Sequence, residues 1–305
     1  FTAYLLLRAL ELDVPVARAL AVVSVAASPA VLMRVVSDLR ASGPVTDRAI
    51  ALATLNTLYA LTAGTAMLRS IDRGDTTMLA SLASSAAVLG VSLLVGALLA
   101  ALLVGAFKLL HPTSQDTAIV ILALIGACTA VTTPLGGSAP LATLLAGIVL
   151  KQLQPRPWVW PRQLGTAAAM LNVLMFVLVS LMAAQADWHG ALTWAALALV
   201  AARMAAKLLS LLLTGPASGL SLRQSLWVGV ALVPMSSVAL LLTSQFVAAS
   251  HSVGAQVAAI ALPTILITEL LGAALVSIAL ARTGESVRPW RQSGSRTAAD
   301  AEVRP

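Results

Sequence analysis

The stretch GALTWAALALVAARMAAKLLSLLLTG, Gly190 to Gly215, carries no charge except two bare cations, Arg203 and Lys207. On insertion scales a cation at the centre of a membrane helix costs roughly 2.5–3.5 kcal/mol, so the pair costs about 5 kcal/mol or more. At spacing i, i+4 the two share one helix face and point toward the same compartment. Only a polar interior or a water-filled pathway tolerates that. The stretch therefore reads as part of a transport pathway.

The rest of the chain fits a membrane setting. It is 59% hydrophobic and only 10% charged, with a mean hydropathy of +0.94. A soluble domain of this length could not hide so much apolar surface, and successive apolar runs of about 18 or more residues are the membrane signature. The basic balance, with a net charge of +7, would suggest nucleic acid in a soluble protein. Here it is accounted for by cytoplasmic loops and a basic tail, with no nucleic-acid partner. Cys128 is the single cysteine, which rules out an internal disulfide. His111, His189 and His251 are too scattered for a metal site, and no nucleophile–base pair supports an enzyme. No cofactor is implied.

Apolar runs bounded by Pro, Gly and charge give about nine spans of roughly bilayer length, near 14–36, 46–68, 77–107, 117–133, 138–151, 164–185, 190–214, 224–249 and 254–281. A cytoplasmic C-terminus puts 13 Lys and Arg inside and 4 outside, with Arg203 and Lys207 in the membrane to complete the 19. The positive-inside rule supports that topology. The opening FTAYLLLRAL reads as the end of a helix, with sequence missing before it, and the tail 282–305 reads as disordered.

Four polar features fall near mid-span. AASPAV places Ser28 and Pro29 at the centre of the first span, and VALVPMSSVAL places Pro234, Ser236 and Ser237 in the eighth. Proline there frees backbone carbonyls, and two proline-interrupted helices point to a midplane site; simple kinks are the alternative. ATLNTLYAL carries Asn56 and Thr57, as candidate ligands or as hydrogen-bonding glue between helices. LPTILITELLG carries Glu269, the deepest carboxylate, which marks an ion or proton path or else is packed neutral. Arg203 also has a structural alternative, compensating helix C-terminal ends or carbonyls freed at a helix break.

With these residues in view, Leu12 to Ala281 resembles the monovalent cation:proton antiporter superfamily, the sodium/hydrogen exchanger family. The stretch 26–61, AASPAVLMRVVSDLRASGPVTDRAIALATLNTLYAL, is similar to that family's broken fourth helix, cytoplasmic loop and fifth helix. APLATLLAGIVL and LNVLMFVLVSLMA resemble its middle helices, and AARMAAK, VALVPMSSVALLL and ITELLG follow in the order of its C-terminal helices. The resemblance implies an all-α polytopic membrane protein with an inverted-repeat antiporter fold and two interrupted, crossing helices. It implies a core from 1–68 and 190–281, dimerisation-side helices from 69–189, and a homodimer in a bacterial-type inner membrane. It also implies exchange of a monovalent cation, Na+ or K+, for protons.

One departure stands out. The family's fifth helix usually carries Asn-Asp or Asp-Asp, and the second position is the carboxylate that binds cation and proton in turn. Here the pair is Asn56-Thr57, and that helix has no acidic residue between Asp47 and Asp72. Lys207 or Arg203 matches the family's basic residue that would face the carboxylate. The expected pathway is Ser28, Pro29, Asn56, Thr57, Arg203, Lys207, Pro234, Ser236, Ser237 and Glu269. A non-coupled carrier on the same fold is the rival reading, and a positive midplane then favours an anionic ligand.

Overall fold

The computed structural model describes residues 1–73, 78–110, 114–153, 162–184, 190–235 and 237–287. Among the described residues every regular element is helical: α1 (Thr2–Ala9), α2 (Val14–Val25), α3 (Pro29–Leu39), α4 (Pro44–Arg73), α5 (Met78–Leu109), α6 (Gln115–Thr132), α7 (Ala139–Leu153), α8 (Arg162–Ala184), α9 (Ala191–Thr214), α10 (Leu222–Ala231), α11 (Ser237–Ala249) and α12 (His251–Arg282). The segments Val14–Leu39, Pro44–Arg69, Leu82–Leu109, Leu192–Thr214 and Val253–Arg282 are long and apolar enough to cross a bilayer. This is an all-α polytopic membrane protein. In lipid a helix is one of two architectures that satisfy every backbone polar group internally, which is why these apolar runs fold this way.

The chain divides into two compact units, Phe1–Ala60 with Met182–Pro305, and Leu61–Leu181. In the second unit, Leu99, Ala100 and Leu103 of α5 pack with Ile121 and Cys128 of α6 and with Ala142 and Ala146 of α7. Gly96 brings α5 against the α7 backbone so closely that an added Cβ would sit 2.5 Å from the Ala142 carbonyl. Small residues serve here because lipid removes the hydrophobic drive for helix association and leaves van der Waals contact. Cys128 is a buried packing residue.

The first unit has its own core. Ala27, Leu32, Val35 and Leu39 meet Val45, Ala49 and Ala53 of α4, Val228 and Ala231 of α10, and Val276, Ala279 and Leu280 of α12. Two spans of this unit are not continuous helices. The first stops at Val25, passes through Ala26 in an extended conformation (φ −54°, ψ 134°), and restarts with Pro29 in the first helical turn. Ser28 caps the restart, its hydroxyl accepting from the Val31 amide at 3.3 Å. Proline suits that position because its missing N–H would be unpaired there anyway. The second span stops at Ala231 and restarts at Ser237.

The sequence places residues 282–305 in a polar tail. Residues 288–305 lie outside the described residues, but Glu285 is folded against the protein. Its carboxylate accepts from the amides of Val45 and Thr46, both at 2.8 Å, and from the Thr46 hydroxyl at 2.7 Å. Its carbonyl accepts from the Ser42 amide at 3.0 Å. A carboxylate at the amino end of α4 meets unpaired N–H groups and the positive end of the helix dipole. Glu285→Ala is expected to lower stability by about 1–2 kcal/mol, read as a lower Tm in detergent; an unchanged Tm would mean that the contact contributes nothing.

Candidate functional site

The two helix breaks bond to each other. The Ser28 amide, at the end of the first break, donates to the carbonyl of Pro234 in the second at 3.0 Å. Such breaks leave carbonyls without helical partners, and in a membrane each must find a donor. Arg203 on α9 supplies most of them. It is 3% exposed. Its Nε donates to the Ser24 carbonyl at 2.8 Å and its Nη2 to the Ala26 carbonyl at 2.6 Å. On the other side Nη1 donates to the Val233 carbonyl, and Nη2 makes a long bond, 3.5 Å, to that of Pro234. One guanidinium thus joins the carboxyl ends of α2 and α10, where a cation is favoured by both dipoles.

Thr57 serves the same break. Its hydroxyl lies 3.0 Å from the Ala27 carbonyl and 2.9 Å from that of Ala53, and can donate to either. Lys207, one turn beyond Arg203, donates from Nζ to the Leu232 carbonyl at 2.8 Å. Neither cation pairs with a carboxylate of any described residue.

Between these groups and α1 lies a cavity of about 530 Å³, lined by Asn56, Arg203, Lys207, Ser24, Ser210 and Leu232 among others. Among the described residues, no acidic residue lines it. Asn56 reaches the cavity and its amide has no hydrogen-bond partner among the described residues. Asn56 and Thr57 therefore face different surroundings, as neighbours about 100° apart around a helix must.

The expected pathway residues separate into groups. Ser28, Thr57, Arg203 and Pro234 meet where the two breaks bond, with Pro29 opening α3 beside them. Asn56 and Lys207 share the cavity with Arg203. Ser237 is exposed at the start of α11, and Ser236 lies outside the described residues. Glu269 is half-buried on α12, outside the cavity lining, and bonds to no described residue. Sequence reasoning missed the Ser24 and Ala26 carbonyls because main-chain acceptors carry no residue signature. Gly272, three residues after Glu269, was also missed. A Cβ there would stand 2.8 Å from the Pro234 ring.

Apolar helices of this length enclosing a buried, cation-bridged pair of helix ends beside a cavity define a membrane transport protein. The family model described as sodium/hydrogen exchanger, transmembrane, matches residues 1–282, so the chain belongs to the sodium/hydrogen exchanger family. No curated protein matches the chain.

Removing Arg203 strands several buried carbonyls at once. Arg203→Leu is expected to cost about 3–5 kcal/mol or more and to yield little folded protein, whereas Lys207→Leu, which frees one carbonyl, should still insert and purify. Size-exclusion profiles of the two variants test this, and comparable monodisperse yields would refute the bridging role. Gly272→Ala should also destabilise, by about 1–3 kcal/mol, through overpacking against a rigid ring; a melting curve superimposable on wild type would show that the break yields freely.

Proposed function

We propose that the protein is a secondary active transporter that exchanges Na+ or K+ for protons by alternating access. Support comes from its family and from one coincidence of geometry: two interrupted helices, two cations and a cavity occur together in one unit. The proposed core comprises 1–68 and 190–281, with 69–189 on the dimerisation side of a homodimer and 282–305 as a cytoplasmic tail in a bacterial-type inner membrane. The excess of Lys and Arg on the proposed inner loops favours that orientation.

In this reading Arg203 is a fixed structural charge, since all its main partners are backbone carbonyls. Lys207 carries the proton. It has three donor positions, only one of which is bonded, and an amine gives up a proton far more readily than a guanidinium. The Asn56 side-chain oxygen is the cation ligand on the cavity wall, since oxygen suits a hard cation. Glu269, away from the cavity, is not on the coupling path.

Thr57 favours a second reading, an uncoupled or degenerate protein on the antiporter fold. Its hydroxyl donates to main-chain carbonyls, so competition for a carboxylate at this position is absent. Thr57→Asp, which would pair a new anion with the cations, also exchanges that donor for an acceptor facing the Ala27 carbonyl.

Proteoliposomes with a trapped pH-sensitive dye separate the readings. Adding Na+ or K+ outside should move protons with wild type, survive in Glu269→Gln, and fall by about tenfold or more in Lys207→Gln. Equal rates in wild type and Lys207→Gln would remove the lysine from the cycle. Wild-type vesicles inert to every monovalent cation would favour the uncoupled reading.

A further inference from the structure

The electrostatics where the two breaks bond do not balance. The carboxyl ends of α2 and α10 each carry roughly half a negative charge, and the amino ends of α3 and α11 roughly half a positive charge each. The carboxyl ends touch the two side chains directly, so they offset about one of the two positive charges and leave about one uncompensated. No carboxylate lines the adjoining cavity and none pairs with either cation among the described residues. Uncompensated buried charge is among the most costly arrangements a protein can hold.

The cavity wall carries what an anion needs. Lys207 spends one donor on Leu232 and is one of the residues that line the cavity. The Asn56 amide lines the same space without a partner. The Ser210 hydroxyl there donates back to the Lys207 carbonyl at 3.0 Å. A cation entering this space would meet the Asn56 oxygen but also both positive side chains.

We propose that this cavity binds a small monovalent inorganic anion from solution, held between the Lys207 ammonium and the Asn56 amide, supplying the negative charge that no side chain provides. The inference concerns the state in which Lys207 is protonated and no cation sits at Asn56, and its test reads binding rather than transport. The anion replaces, as a dissolved solute, a charge that would otherwise have to be built into α4. Chloride is the simplest probe.

The full chain, purified in a non-ionic detergent, is melted in chloride and in the bulky anion gluconate, with the same cation and ionic strength. Chloride should raise Tm by roughly 3 °C or more. Lys207→Gln should lose that shift. Asn56→Asp should lose it as well and, having a built-in anion, should melt in gluconate at or above the wild-type temperature. A third arm adds anionic phospholipid without chloride. Stabilisation by lipid alone would overturn the proposal, because the site would then belong to a headgroup. Identical melting of wild type in chloride and gluconate would overturn it too, as would an undiminished chloride shift in Asn56→Asp. The Asn56→Asp arm keeps the test decisive if Lys207→Gln fails to fold, and because Tm is read without transport, a failure of exchange leaves this result standing.

Discussion

A guanidinium stays charged at any depth, so Arg203 can occupy the middle of an apolar helix only if the protein itself solvates it. The backbone does so. Two spans give up helical hydrogen bonding between Val25 and Pro29 and between Ala231 and Ser237, and the carbonyls released there converge on one side chain. Each half of the arrangement would be prohibitive alone. Unpaired carbonyls in hydrocarbon cost several kcal/mol apiece, and an unsolvated arginine costs more. Together they satisfy each other, and the surrounding packing follows from holding α2, α9 and α10 at that distance. Gly272, which leaves room for the Pro234 ring against α12, belongs to the same constraint.

A second set of contacts fixes the far ends of these helices. Glu285 holds the start of α4 to the end of α12. Arg48 on α4 donates from Nη2 to the Ser218 carbonyl at 2.8 Å, tying that helix to the turn before α10. Arg223 on α10 donates to the Arg282 carbonyl at 3.2 Å. The exposed pairs among these contribute little individually, but they join α4, α10 and α12 at one end. The span that opens with α10 is therefore tied at its outer end as well as at its break.

Much of this fold was readable from residue order alone. Pro, Gly and charge bound the apolar runs closely enough that observed helix ends fall within a few residues of the expected ones; α9, expected at 190–214, runs from Ala191 to Thr214. Ser28–Pro29 and Pro234 fall at the actual breaks, because proline must open a helical turn or lie outside one. The partners of Arg203 were not readable, since Ser24, Ala26 and Val233 contribute only their carbonyls. Asn56 and Thr57 were read as one pair, yet the helical turn sends the first to the cavity and the second to the Ala27 carbonyl. Glu269 drew notice by hydropathic depth, a quantity that says nothing about which face of α12 it occupies. Glu285 drew none, because a short polar run looks alike whether solvated or folded back.

Threonine at position 57 of α4 has a physical consequence beyond the absence of a charge there. A carboxylate can only accept when ionised, whereas the Thr57 hydroxyl donates, and Ala27 presents an acceptor. With that donor in place six acceptors at or beside the two breaks have donors. Those of Ser24 and Ala26 meet Arg203, that of Ala27 meets Thr57, and that of Leu232 meets Lys207. Val233 is bonded to Arg203, and Pro234 to the Ser28 amide. Hydrogen-bonding capacity to spare is found at Lys207 and Asn56, both of which line the cavity. The spare capacity and the uncompensated charge thus fall together, where a solute can enter.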